Sequence, residues 1–226
     1  MNSSKNKMKI EIWSDVMCPF CYIGKRKFEM ALSQFSEKDN VQLVWKSFQL
    51  SPEMKTDPNT NIHQFLAKHK GFSLQEAKEV NEHVTQLAKE VGLEYNFDKS
   101  IVANSFNAHR FTHYAKQNGK QNEAEEKLFK AYFTEGKNID DYSTLILLGE
   151  EIGLDKTGLK SALENGMYAD AVKADIQEAQ QIGVRGVPFF VFDRKYAVSG
   201  AQNVQTFLQT LEQSVAEWKK ENPISI

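Results

Sequence analysis

Met8-Lys9-Ile10-Glu11-Ile12-Trp13-Ser14-Asp15-Val16-Met17-Cys18-Pro19-Phe20-Cys21 runs from alternating polar and apolar residues straight into a pair of cysteines. Met8, Ile10 and Ile12 alternate with Lys9, Glu11 and Trp13, the period-two pattern of a strand with one strongly buried face. Pro19 then suits the first position of a helix, and Phe28, Ala31, Leu32 and Phe35 recur after it at helical spacing. The two cysteines, the only ones in 226 residues, therefore stand at a strand-to-helix turn.

Val41, Leu43 and Trp45 alternate again and predict a second strand ending near Phe48. A turn-rich stretch around Ser51-Pro52 and Asp57-Pro58 follows it. Strand, helix, strand implies a parallel βαβ unit. From about Asn61 to Gly183 the pattern is helical throughout, with stripes such as Leu74, Ala77, Val84, Leu87 and Val91, and glycines 92, 119, 136, 153 and 166 where helices would stop. Strand character returns at Val187-Pro188-Phe189-Phe190-Val191-Phe192, turns at Asp193-Arg194-Lys195 and resumes at Tyr196-Ala197-Val198, a hairpin. Val204, Phe207, Leu208, Leu211, Val215 and Trp218 share one side of a last helix, before a Pro-containing tail. The order βαβ, helical block, ββα is that of an α/β thioredoxin-like fold. Residues 1–60 and 184–226 form its discontinuous thioredoxin-like part, and residues 61–183 an inserted helical domain.

The bulk properties exclude several function classes. A chain of this length can bury a core without disulfide staples. A net charge of -2 gives no field that recommends nucleic acid or an anionic membrane as partner. No stretch is long and apolar enough to cross a bilayer. Met1-Asn2-Ser3-Ser4-Lys5-Asn6-Lys7 lacks the apolar core of a signal peptide, so the cytoplasm is the expected compartment. There, a closely spaced cysteine pair is more often catalytic or metal-binding than structural.

Four motifs in order resemble the DsbA-like thiol-disulfide oxidoreductases of the FrnE type, over nearly the whole chain. They are Ser14-Asp15-Val16-Met17-Cys18-Pro19-Phe20-Cys21-Tyr22-Ile23-Gly24, Asn104-Ser105-Phe106-Asn107-Ala108-His109-Arg110, Gly183-Val184-Arg185-Gly186-Val187-Pro188-Phe189-Phe190 and Ser199-Gly200-Ala201-Gln202. A thiolate attacks a disulfide, and a cysteine at a helix N-terminus has its anion favoured by unpaired amides and the helix dipole. Cys18 is thus the expected nucleophile, and Cys21, one turn deeper, the expected resolving thiol. Pro19-Phe20 between them tunes the poise and lacks the histidine found in the strongest periplasmic oxidants of the wider family. Relatives of this fold span about -270 to about -120 mV, roughly 7 kcal/mol for a two-electron couple. X-Pro bonds are cis in only about 5% of cases, which favours a trans Val187-Pro188 bond. The resemblance implies the opposite: a cis-proline loop facing the dithiol, with Val187 offering its backbone to an extended substrate.

Bland readings stand beside the sharp ones. Zinc would need two ligands beyond Cys18 and Cys21, and no cysteine remains. His109 and His113 stand four apart but share a stripe with Val102 and Phe106, which reads as buried or rim histidines. No metal is expected, and His63, His69 and His83 show no partner pattern. Asp15 is either a proton carrier for Cys21 or the cap of its turn. Asn104, Asn107, His109 and Arg110 either line a cleft facing Cys18 or form an ordinary polar helix face. A dithiol mechanism needs no cofactor beyond the redox-active Cys18-Cys21 disulfide.

The leading expectation is an enzyme exchanging disulfides with protein or small-molecule thiols, glutathione among the candidates, as monomer or homodimer. Two alternatives accompany it. A glutathione-dependent isomerase or transferase of the 2-hydroxychromene-2-carboxylate isomerase or kappa kind would resemble this architecture, but those relatives carry serine at the position of Cys18 and an acidic residue soon after the glycine matched by Gly200. A non-catalytic, chaperone-like module would use the cleft between the domains without the thiols.

Overall fold

Alternation at the start of the chain produces β1 (Met8–Ser14), and the proline after Cys18 opens α1 (Pro19–Gln34). The computed structural model describes residues 7–223, so residues 1–6 of the N-terminal stretch and 224–226 of the tail lie outside the described residues. β2 (Val41–Ser47) lies parallel to β1 in the register Met8 to Val41 through Ser14 to Ser47. β5 (Phe189–Phe192) and β6 (Tyr196–Ser199) add antiparallel strands, giving the sheet order β2-β1-β5-β6. The hairpin turn places Asp193 and Arg194 at φ 49° and 57°, the left-handed pair whose twist matches the flanking strands.

Met8, Ile10 and Ile12 meet Phe28 of α1, Phe190 and Phe192, and Phe207 and Leu211 of the C-terminal helix α9 (Val204–Glu221) in one apolar layer. The other face of β1 is not left to solvent, as a single buried face would imply. Trp13 is fully buried and Glu11 is 7% exposed, because α8 (Ala169–Gln181) lies across them. Trp13 Nε1 donates to the Asp175 carbonyl at 3.0 Å. Lys46 bridges Asp175 and Glu178 at 2.9 and 3.0 Å, and Arg194 joins Glu11 to Glu178. The polar half of the alternation is thus consumed by a charge network between sheet and helix, a pattern that sequence alternation alone reads as solvent.

Between β2 and β5 the chain forms β3 (Asp57–Asn61), α2 (Ile62–Lys70), α3 (Leu74–Lys89), β4 (Ile101–Val102), α4 (Phe106–Gln117), α5 (Gln121–Phe133), α6 (Tyr142–Glu151), α7 (Lys156–Glu164) and then α8. Two segments differ from the sequence reading. Asp57-Pro58 begins an edge strand rather than a turn, and Ile101-Val102 pairs with it through a bulge, so the stretch after Asn61 is not helical throughout. Neither segment alternates apolar and polar residues, and a proline in a short edge strand removes no ladder bond. The five glycines read as helix stops all take positive φ, from 66° to 78°.

These helices pack on the cysteine end of α1. Tyr22 stacks on Phe129 and Tyr95 with ring centroids 4.9 and 6.1 Å apart. Lys25, 2% exposed, lies between Glu29 and Glu126 at 2.6 and 2.5 Å. A buried ammonium of this kind is tolerable only because it is paired on both sides. No helix among the described residues is long and apolar enough to cross a membrane.

Candidate active site

Cys18 is the residue that caps α1, with extended backbone (φ -85°, ψ 112°) and Pro19 immediately after it. The turn that presents it is closed by the Cys18 amide donating to the Asp15 carbonyl at 2.9 Å. Its sulfur is therefore set at the positive end of the helix, where an anion is stabilised. Cys18 is 4% exposed and Cys21 1%, both as free thiols, whereas Phe20 between them is 42% exposed. Tyr95 donates its hydroxyl to the Pro19 carbonyl at 2.7 Å, so a residue of the helical segment holds the first turn in place.

Across from the sulfur lies the loop before β5. The Val187-Pro188 peptide bond is cis. The Cys18 thiol donates to the Val187 carbonyl at 3.5 Å. The Pro188 carbonyl accepts from the Gly200 amide at 2.8 Å, which ties the loop to the end of β6. Gly24 lets α1 come this close: a Cβ there would stand 2.9 Å from Pro188 Cγ and 3.5 Å from Ala201 Cα. Gly24→Ala is expected to destabilise the fold by about 1–3 kcal/mol, the usual cost of overpacking. Urea denaturation of the variant checks this, and an unchanged midpoint contradicts it.

Cys21 differs from Cys18 in its surroundings. Burial pushes its thiol well above the ordinary range, and the adjacent Cys18 sulfur pushes the same way. The Asp15 backbone and the Ser14 hydroxyl pull less strongly in the opposite direction. Losing its proton is therefore a costly event for this sulfur.

Asp15 is fully buried and acts as the clasp of the turn: Oδ1 accepts from the Met17 amide at 3.2 Å and Oδ2 from the Leu50 amide at 2.8 Å. His109 Nε2 approaches Asp15 Oδ1 to 3.7 Å while donating to the Phe48 carbonyl at 2.8 Å. Of the motif residues Asn104, Asn107, His109 and Arg110, it is His109 that meets the turn carrying the cysteines; the other three are engaged elsewhere. Arg110, 3% exposed, spends its guanidinium on the Met167, Ala162 and Leu163 carbonyls, Asn107 and Tyr142, closing the end of α7. The cleft-lining reading of Arg110 is corrected accordingly: its donors are used inside the helical segment. Asn104 braces the loop after β2 through Gln49, Pro52 and Met54, and Asn107 binds Asp140. Both asparagines border a shallow cleft of about 460 Å³ whose lining includes neither cysteine.

The histidines separate likewise. His113 faces Ser47 and Asp175, away from the partners of His109. His63 has partners the sequence pattern did not show, Asn81 and Asp98. Among the described residues no three of His, Cys, Asp and Glu converge as a metal site.

One buried group escaped the sequence reading altogether. Glu125 of α5 is 2% exposed, and its Oε2 has no hydrogen-bond partner among the described residues. Burial raises its carboxyl to about 7, against the pull of His109 and Lys25. Burial alone would lower the His109 ring, but the Asp15 and Glu125 carboxyls outweigh it and leave the ring above its ordinary value. The signal was available: Gln121, Ala124, Glu125, Leu128, Phe129 and Tyr132 follow a strict helical stripe, with Glu125 in the middle.

Residues 9–212 match the family of DSBA-like thioredoxin domains. The uncharacterized protein YwbO of Bacillus subtilis is 30% identical over 185 residues, covering 80% of this chain and 85% of that one. A crystal structure described as a probable DsbA oxidoreductase, SCO1869 of Streptomyces coelicolor, superposes with a TM-score of 0.87 at 35% identity, covering 97% of this chain and 93% of that one. The fold is shared more distantly with the cytosolic disulfide reductase DsbM of Pseudomonas aeruginosa solved with GSH, at TM-score 0.67 and 16% identity, over 92% of this chain and 99% of that one. A thioredoxin fold interrupted by helices, with a cysteine pair at the first helix, agrees with these likenesses, and the chain belongs to the DSBA-like thioredoxin domain family.

Proposed function

We propose that the protein exchanges disulfides with thiol and disulfide substrates through Cys18 and Cys21, Cys18 attacking and Cys21 resolving. The observation that carries this reading is the Cys18 sulfur at the N-terminus of α1, directly against the Val187 carbonyl of the cis-proline loop. The helix end presents its unpaired amides beside the sulfur, and the loop offers backbone groups to an extended chain beside it. Exposed Phe20, with exposed Leu50 on the loop clasped by Asp15, supplies apolar contact for such a chain. Resolution by Cys21 is intramolecular and leaves no bound product.

Glutathione is a fitting small thiol partner, since a protein of the same fold has been solved with GSH. Reduction is a fitting direction for this dithiol, since that protein of the same fold is described as a cytosolic disulfide reductase. Residues 1–60 and 184–226 supply the reacting groups in this reading, and the inserted residues 61–183 brace them through Tyr95 and Asp15's neighbour His109.

Insulin reduction with dithiothreitol as the electron source tests the assignment. The wild-type chain is expected to accelerate precipitation of the freed insulin chains, and Cys18→Ser to return the rate to that of dithiothreitol alone. Equal activity of the two proteins would sink the assignment.

A further inference from the structure

The backbone donors around the dithiol are nearly all in use. The Met17 amide donates to Asp15 Oδ1 at 3.2 Å, the Cys18 amide to the Asp15 carbonyl at 2.9 Å and the Cys21 amide to the Cys18 carbonyl at 3.0 Å. Pro19 has no N–H to offer. From Met17 to Cys21, the Phe20 amide alone is left without an acceptor among the described residues. The side chain of a residue that caps a helix is met by the amide two or three residues on, here Phe20 or Cys21. Because the Cys21 amide is taken by the Cys18 carbonyl, the Phe20 N–H is the donor this turn keeps for charge on the Cys18 sulfur. In the thiol form that bond is not made, and the sulfur donates to the Val187 carbonyl instead.

The carbonyl of the same peptide unit is held from the inserted segment. Tyr95, in the stretch between α3 and β4, donates its hydroxyl to the Pro19 carbonyl at 2.7 Å. Its ring is 8% exposed and stacks on Phe133 and Tyr22 with centroids 4.7 and 6.1 Å apart, while Phe97 meets it edge-on at 5.6 Å. Three rings thus fix where the hydroxyl points. The titratable and charged groups that face it are Tyr22, Arg26, Cys18 and Cys21, and Arg26 is itself bound to Glu29 and Glu126. Burial pushes the Tyr95 hydroxyl far above its ordinary value, so it stays a donor wherever the thiols react. Pro19 C=O and Phe20 N–H are the two ends of one planar unit. A hydrogen bond accepted at the carbonyl polarises the N–H and strengthens the bond that it donates.

We propose that Tyr95 is a positioning residue for the nucleophile: by holding the Pro19 carbonyl, it orients and polarises the Phe20 amide toward negative charge on the Cys18 sulfur. This rests on the exchange reading above and concerns its first step. There, the Cys18 thiolate attacks a substrate disulfide, a bond forms between Cys18 and one substrate sulfur, and the substrate S–S bond breaks. The electron pair leaves with the other substrate sulfur, which departs as a thiolate. Tyr95 exchanges no proton and touches no substrate; it acts through the Pro19-Phe20 peptide unit.

Iodoacetamide alkylation of Cys18 in the reduced protein, followed by mass spectrometry from about pH 5 to about pH 10, tests this across the range where thiols ionise. Tyr95→Phe keeps the stacked ring and loses the hydroxyl. It is expected to alkylate about 2- to 5-fold more slowly than the wild type on the rising limb of the profile. On the upper plateau it should be no slower, since a less stabilised thiolate is the better nucleophile. A profile that superposes on the wild type overturns the proposal. So does one slowed by the same factor at every pH, which is what a merely loosened turn would give. A wild type that alkylates normally but does not reduce insulin would instead overturn the exchange reading.

Discussion

In Cys21→Ser, a mixed disulfide between Cys18 and the substrate is expected to accumulate to about one per chain. The magnitude follows from proximity. A well-oriented intramolecular group acts at an effective concentration of roughly 10⁵ M or more, whereas external thiols are supplied at millimolar levels. Even with most of that advantage discounted, losing Cys21 should slow resolution by at least about 10³-fold. The Cys18 thiol lies against the Val187 carbonyl, so the trapped partner should be held beside the proline loop. Mass spectrometry after brief exposure to oxidised insulin reads the result: a single adduct on Cys18. Full turnover by Cys21→Ser, or an adduct elsewhere, contradicts the assigned roles.

Glu125→Gln is expected to flatten the dependence of stability on pH by as much as about 3 kcal/mol. In the folded chain Glu125 keeps its proton to about pH 7, while the unfolded chain releases it near its ordinary value of 4.5. Folding therefore binds a proton across that window, and stability falls as the pH rises from about 4.5 to 7. His109 pushes the same way, since its raised folded value gives stability that is present below the unfolded value and lost as pH rises through the folded one. Glutamine removes the Glu125 contribution and keeps the shape. Urea denaturation at pH 5 and pH 8 should show the wild type losing stability between them and Glu125→Gln losing much less. Parallel profiles would mean that Glu125 is ionised in the fold without cost.

The fold was legible because its decisive signals are local. The β1 alternation, Pro19 at the start of α1 and the Asp193-Arg194 turn each follow from near neighbours in sequence, and the structure has all three. The short β3–β4 pair was not legible, because Asp57–Asn61 has no apolar face and its partner is only two residues long. At the site, the cysteine spacing identified the reacting pair, but long-range packing decides what surrounds it. Arg110 looked like a cleft residue because a polar side chain on a helix gives no hint that carbonyls at the end of another helix will take it. Asp15 could be read as clasp or proton carrier; its bonds to Met17 and Leu50 make it a clasp, with His109 Nε2 3.7 Å away. Glu125 could have been found from its position: a charged residue inside an apolar stripe is a buried charge, and α5 buries it.

Equilibration of the protein in dithiothreitol or glutathione buffers of graded poise, followed by acid quench and alkylation, tests the central claim most directly. Cys18 and Cys21 are predicted to convert together as one two-electron couple, with a midpoint between about -270 and about -120 mV. A Cys18–Cys21 disulfide that fails to form at any poise, or two thiols that react independently, would contradict it.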